Sequence, residues 1–221
     1  MHPLYQEFVG HLNRKDKDAC VELVLSKLSK GEIDVVTLYN EILAPALNAP
    51  AYGDKEGAVR IWEEHARTSI VRTVLENCYP YIIRERKAKY GAVAGKHLHA
   101  VVVCPTEEFH EIGARMVADF FDLCGYDVTF VGANTPQDDI IEAIAHVRPA
   151  YVAISVTNTY SLVAAKRTVA KILALREREK AGFTIIVGGT AFRANPEMAR
   201  EMGADMLLST FEDIRKLSEA G

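Results

Sequence analysis

The chain has 221 residues, 49% of them hydrophobic and 25% charged, an ordinary composition with room for one large domain or two small ones. A net charge of −4 argues against a nucleic-acid-binding surface, which is normally basic. No apolar run approaches the length of a membrane span and the opening MHPLYQEFVG has no signal-peptide core, so a cytoplasmic location is expected.

Residues 1–90 show helical spacing and no convincing strand. Leu4, Phe8 and Leu12 mark a first helix. A second runs from about Asp16, with Val21, Val24, Leu25 and Leu28 on one face and Gly31 closing it. The third starts near Ile33, carries Leu38, Ile42 and Leu43, and should break at Pro50 and Gly53. The longest runs from about Glu56 towards Lys87, with Val59, Trp62, Ile70, Val71, Val74 and Leu75 as its apolar positions and Pro80 expected to kink or split it. Four amphipathic helices with short turns suggest a four-helix bundle. Lys87–Lys96, KAKYGAVAGK, reads as a linker.

The second half alternates strand and helix. Val101, Val102 and Val103 form a β-branched run of the kind buried in a parallel sheet, and Pro105 stops it. A loop carrying Glu108 and His110 follows, then a helix through Ile112, Met116, Val117 and Phe120. The second strand spans Asp127–Val131. In GANTPQDD, Thr135 is expected to cap the next helix, with Pro136 in its first position and Asp138 and Asp139 at the positive end of the dipole. Arg148-Pro149 ends that helix. Tyr151–Val156 is the third strand, followed by a helix over about 160–180, and Thr184–Val187 is the fourth, with Gly188-Gly189 beyond it. Asn195-Pro196 opens a short helix through Met202, Asp205–Leu208 is a fifth strand, and a last helix holds Ile214 and Leu217. The fold expected is α/β: a bundle over 1–90, then a doubly wound, flavodoxin-like five-stranded parallel sheet over 91–221.

Open α/β sheets bind ligands outside the carboxyl ends of their strands. A neutral imidazole there can give one nitrogen to a metal while an acceptor holds the other, and Glu108 is the candidate acceptor for His110. Taken singly, the pair is also a plain helix-start contact, Gly-Gly a turn, and Ser155-x-Thr157 a satisfied hydroxyl pair. Cys20, Cys78, Cys104 and Cys124 lack a C-x-x-C pairing and read as buried free thiols. There is no G-x-G-x-x-G after the first strand and no G-x-x-x-x-G-K, so dinucleotide and nucleoside triphosphate binding lack their phosphate cradle. A response-regulator reading fails because the third strand ends in Ser155, Val156, Thr157 rather than in a phosphorylatable Asp.

Glu108-x-His110-x-x-Gly113, Ser155-x-Thr157 and Gly188-Gly189 fall in order after the first, third and fourth strands. This pattern resembles the cobalamin-binding domain family, whose motif is Asp-x-His-x-x-Gly, then Ser-x-Leu or Ser-x-Thr, then Gly-Gly. Glu108 stands where Asp is commoner. The resemblance covers roughly residues 97–221 and implies a corrin ring over the carboxyl edge of the sheet, with the nucleotide tail running down into the domain. It also implies that His110 displaces the cofactor's own base and ligates cobalt from below, and that the Ser155 hydroxyl meets that base. Gly113, Gly188 and Gly189 would clear the channel, and strand alternation would set Thr157 on the face of Ser155.

In the helical half, Pro45, Gly57, Glu64 and His65, within LAPALNAPAYGDKEGAVRIWEEH, resemble the bundle of light- and cobalamin-responsive regulators. There a Glu-His pair sits above the ring, and a Trp occupies the place of Asp54 and Lys55. Corrinoid methyl carriers share the two-part layout. The resemblance therefore implies cobalamin as cofactor, in its methyl, hydroxo or adenosyl form, and no independent enzyme activity. The first reading is a carrier presenting cobalt to separate methyltransferase subunits. The alternative is a cobalamin-dependent sensor lacking its own DNA-binding domain. Neither nucleic acid nor membrane is an expected direct partner, and a homo-oligomer is compatible with both readings.

Overall fold

In the computed structural model, which describes residues 2–49, 60–90 and 98–220, the chain divides into two units, Met1–Lys89 and Tyr90–Gly221. The first is helical. Helix α1 (Pro3–Asn13) starts on a proline, with the His2 ring accepting from the Leu4 N–H, and buries Leu4, Tyr5, Phe8, Val9 and Leu12. Helix α2 (Lys17–Ser29) is capped by Asp16, whose carboxylate accepts from the Ala19 N–H at 3.1 Å. Gly31, at φ 70°, follows it in the left-handed conformation that a side chain resists.

The third helical stretch changes pitch. Helix α3 (Val35–Thr37) passes into a π-helical segment (Leu38–Leu43) and then into α4 (Ala44–Asn48). Pro45 has no N–H to give and its ring crowds the preceding turn, and the wider turn before it closes with Ala44 N–H on the Tyr39 carbonyl. Helix α5 (Ile61–Glu85) continues into a π turn (Arg86–Tyr90). It buries Ile70, Val71, Val74 and Leu75, as expected of it, and Cys78 and Ile82 besides. Arg67 is buried too, with its guanidinium on Asn13 Oδ1 (2.6 Å) and the Ala46 carbonyl (2.8 Å).

Three expectations for this unit need correction. Trp62 is not a core position: it is 55% exposed on the first turn of α5, with the Lys15 ammonium 4.7 Å from its ring. Pro80 does not split the helix, which runs through it from Ile61 to Glu85. Lys87–Tyr90, expected to open the linker, continue the helix. Pro50, Gly53, Asp54, Lys55, Glu56, Gly57, Val59 and the rest of the linker through Lys96 lie outside the described residues.

The second unit is a five-stranded sheet in the order β2-β1-β3-β4-β5, parallel throughout. Its strands are β1 (His99–Pro105), β2 (Asp127–Thr135), β3 (Tyr151–Ser155), β4 (Thr184–Gly188) and β5 (Met206–Leu208). The helices are α6 (Ile112–Leu123), α7 (Gln137–Val147), α8 (Leu162–Glu179), α9 (Glu197–Glu201) and α10 (Phe211–Ala220). Val101, Val102 and Val103 are fully buried, each worth about 1.5–3 kcal/mol of burial. Alternation sends Val101, Val103, Val152, Ile154, Ile185 and Val187 to one face, where they pack with Ile140 and Ile144 of α7 and Val169, Ile172 and Leu175 of α8. Helix α10 packs on α6 through Phe211 edge-on to Phe120, 5.1 Å between centroids.

Two boundaries differ from expectation. Strand β2 runs on to Thr135, opposite Pro105 of β1, so Thr135 ends a strand rather than capping α7, and its hydroxyl turns back to the Gly132 carbonyl at 3.4 Å. Strand β3 stops at Ser155, leaving Thr157 in the following turn. All four cysteines are buried and none is in a disulfide. No helix among the described residues is long and apolar enough to cross a membrane. Because β1 lies between β2 and β3, the order reverses beside it, and the turns after β1 and β3 emerge side by side at the carboxyl edge.

Candidate functional site

The turn after β1 is held on both flanks. Towards β2, the Asn134 side chain accepts from the Glu107 N–H (2.9 Å), the Asn134 N–H donates to the Glu108 carbonyl (2.8 Å), and the Thr106 hydroxyl donates to the Thr135 carbonyl (3.0 Å). Glu107 and Asn134 both take left-handed backbone conformations, at φ 68° and 49°. Towards β3, the Ser161 hydroxyl donates to the Glu107 carbonyl at 3.1 Å.

At the centre is Glu108, whose side chain is fully buried. Its Oε1 accepts from the His110 main-chain N–H (2.9 Å) and from His110 Nδ1 (2.7 Å). Its Oε2 accepts from the main-chain N–H groups of Thr157 (2.8 Å) and Asn158 (2.9 Å). Burial pushes the carboxyl up, but the N–H groups of Asn158, His110 and Thr157 and the His110 ring outweigh it, holding the group below the usual carboxylate range. An ionised acceptor at Nδ1 fixes the imidazole as the Nδ1–H tautomer, which leaves the lone pair on Nε2. The His110 side chain is 46% exposed, and no hydrogen bond among the described residues uses Nε2.

Around this pair, Cys104 lies beneath, with Sγ 3.9 Å from the His110 carbonyl. Burial, and then the charges of Glu108 and Glu111, push its thiol up to about 12, so it is a packing group and not a nucleophile. Ser155 is buried at the end of β3, and no hydrogen bond among the described residues uses its hydroxyl. Thr157 gives its main-chain N–H to Glu108 and its carbonyl to the Thr190 hydroxyl (2.9 Å).

The three glycines have different reasons. A Cβ on Gly188 would stand 2.7 Å from the Leu208 carbonyl oxygen, and one on Gly189, at φ 107°, would run into the Val156 carbonyl. Both are therefore required by the sheet's own packing, whatever else they do. Gly113 is exposed, lies outside the left-handed region, and a Cβ there would meet nothing within 4 Å. Nothing in the described chain demands a glycine at that position.

A family model described as the B12 binding domain matches residues 98–216, more than half of the chain. The chain belongs to that family. It is similar in sequence to the HTH-type transcriptional repressor CarH of Myxococcus xanthus, 27% identical over 164 residues that make up 74% of this chain and 50% of CarH. The chain thus spans about half the length of that relative. In fold it is similar to the monomethylamine corrinoid protein of Methanosarcina barkeri, with a TM-score of 0.79 at 14% identity over 99% of this chain and 98% of the other. The methanol:cobalamin methyltransferase complex MtaBC of the same organism gives a TM-score of 0.50 at 17% identity over 96% and 77%.

The residues of this B12 binding domain fit such a cofactor. One imidazole with Nε2 open suits a cobalt whose in-plane positions come from a macrocycle, and no group of three His, Cys, Asp or Glu side chains converges among the described residues. Among the described residues, none gives Gly113 or the Ser155 hydroxyl a use. Glu64 and His65 belong to the other unit, exposed on the first turn of α5. Sequence reasoning missed Asn158 and Asn134. The Asn134 signal was present in GANTP, since asparagine is the residue most tolerant of left-handed backbone after glycine. Asn158 offered only its Asx turn onto the Tyr160 N–H.

Proposed function

We propose that this chain binds cobalamin with its own base detached, that His110 Nε2 is the lower cobalt ligand, and that the protein is a corrinoid carrier presenting cobalt to partner methyltransferases. When bound, cobalamin supplies a cobalt able to hold and release a methyl group, and the polypeptide supplies binding and orientation. The observation that carries the ligand assignment is the 2.7 Å contact from His110 Nδ1 to a buried carboxylate, which points the opposite ring nitrogen outward as a metal donor. Ser155 and Thr157 offer hydroxyls to the detached base, and Gly113, Gly188 and Gly189 leave room for the nucleotide tail, Gly188 and Gly189 also letting the Leu208 and Val156 carbonyls approach. Glu64 and His65 are assigned to the same cofactor from the helical unit.

The test is reconstitution with hydroxocobalamin followed by absorbance. Wild type should show the base-off, His-on spectrum and His110→Ala should lose it. An unchanged spectrum in His110→Ala refutes the assignment. A second reading, a cobalamin-dependent sensor, is favoured by the similarity to a transcriptional repressor. Size-exclusion of the adenosylcobalamin and methylcobalamin forms, in darkness and after illumination, separates the two: a light-dependent change of oligomeric state selects the sensor, and methyl exchange with a methyltransferase selects the carrier.

A further inference from the structure

Two neighbouring helices on one face of the sheet carry opposite charge. Helix α7 exposes Asp138, Asp139 and Glu142. Helix α8 exposes Lys166, Arg167 and Lys171, and no acidic residue occurs between Glu142 and Glu177. The helices lie side by side, joined by Lys171 Nζ on Asp138 Oδ1 at 2.8 Å. That pair is spent within the chain, whereas no ion pair among the described residues uses Asp139, Glu142, Lys166 or Arg167. The contact also fixes the stagger. Asp138 lies in the first turn of α7 and Lys171 in the third of α8, so α8 begins about two turns earlier. On that overhang Tyr160, 87% exposed, and Val163, 62% exposed, stand on the same outward stripe as Arg167.

We infer that this face is an interface between two copies of the chain, related by a two-fold axis that runs between α7 and α8 and along them. Such an axis lays α8 of each copy over α7 of the other, because a positive stripe beside a negative one is its own complement when turned over. Lys166 and Arg167 of one copy then meet Asp139 and Glu142 of the other, twice over. The overhang carries Tyr160 and Val163 past the start of the opposing α7, where Pro136 is exposed. The apolar contact supplies affinity, and the charges fix register and partner. An unrelated acidic protein would satisfy α8 and repel α7, whereas a second copy satisfies both stripes at once. The axis runs along the strands, so both carboxyl edges open in one direction and neither His110 turn is covered. Nothing in this surface depends on the cobalamin reading.

The experiment is sedimentation velocity on the full chain without cofactor, at up to about 100 µM, which detects even a weak specific contact. Wild type should sediment as a dimer. Lys166→Glu with Arg167→Glu, and separately Asp139→Lys with Glu142→Lys, should each raise the dissociation constant about a hundredfold or more, since every cross-pair turns from attraction to repulsion. All these positions are exposed, and circular dichroism checks that each variant keeps the wild-type fold. Mixed in equal amounts, the two monomeric variants should dimerise again, because one now has both helices acidic and the other both basic. A chain carrying all four substitutions should dimerise by itself. Wild type that stays monomeric overturns the inference. So does a dimer that persists through either pair of reversals, and so do variants that stay monomeric when mixed, since the copies then meet through another surface.

Discussion

Replacing Glu108 by glutamine changes one atom and nothing in size, yet every hydrogen bond to the side chain arrives from a donor. The four donors are the His110 N–H and ring Nδ1 on one oxygen and the Thr157 and Asn158 N–H groups on the other. An amide can accept on one side only. If its NH2 faces Thr157 and Asn158, two main-chain donors lose their acceptor. If it faces His110, the ring can adapt by accepting at Nδ1, but that moves the proton to Nε2 and blocks the nitrogen offered to a metal, and the His110 main-chain N–H still has no acceptor.

Each unsatisfied donor costs about 1–3 kcal/mol, and the partial exposure of Thr157 and Asn158 puts them towards the lower figure, for a total of about 2–4 kcal/mol. Thermal unfolding followed by circular dichroism should show Glu108→Gln melting roughly 4–16 °C below wild type, at about 2–4 °C per kcal/mol for a chain of this size. Titration with hydroxocobalamin should show affinity reduced about 10–100-fold, the usual effect of removing the group that orients a ligating imidazole. A variant that melts within a degree of wild type and binds cobalamin equally well would refute both the bonding scheme and the tautomer derived from it.

The glycines give a paired prediction. Gly189→Ala should destabilise the fold by about 2 kcal/mol or more in chemical denaturation, from positive φ and the clash with the Val156 carbonyl. Gly113→Ala should leave stability unchanged or slightly raised, because the space is open, while weakening cobalamin binding in the same absorbance titration. Asp205 offers a pH test away from the site. Burial raises its pKa, but the Arg176 guanidinium (2.5 Å) and the Ile185 N–H (2.7 Å) outweigh it and hold the carboxyl below its ordinary range. A lowered folded value means the stabilisation is complete above the unfolded pKa of about 3.9 and is lost as pH falls through the lower one, so Asp205→Asn should flatten the acid limb of the stability curve below about pH 4.

Much of the architecture could be read from residue order because it follows from short-range rules. The Val101–Val103 run, the turn chemistry of Arg148-Pro149 and the helix start near Asp16 each act within a few residues, and each is where the spacing places it. The errors arise where a distant partner outweighs a local preference. Thr135 has the chemistry of a helix cap, but pairing with β1 extends its strand past that point. Trp62 has the hydropathy of a core residue, but its position on the first turn of α5 leaves it exposed beside Lys15. The Leu208 and Val156 carbonyls that approach Gly188 and Gly189 are likewise distant partners that letters do not record.

The site divides along the same line. The contact between His110 and Glu108 was legible because the two lie within one turn of chain. The second half of the Glu108 contact was not, because its donors are main-chain N–H groups of Thr157 and Asn158, some fifty positions away, and any residue except proline supplies an identical N–H. Glu108 is where the two kinds of information meet: Oε1 holds a ring two residues away, Oε2 holds the turn after β3, and one buried side chain joins segments that only the folded chain brings together.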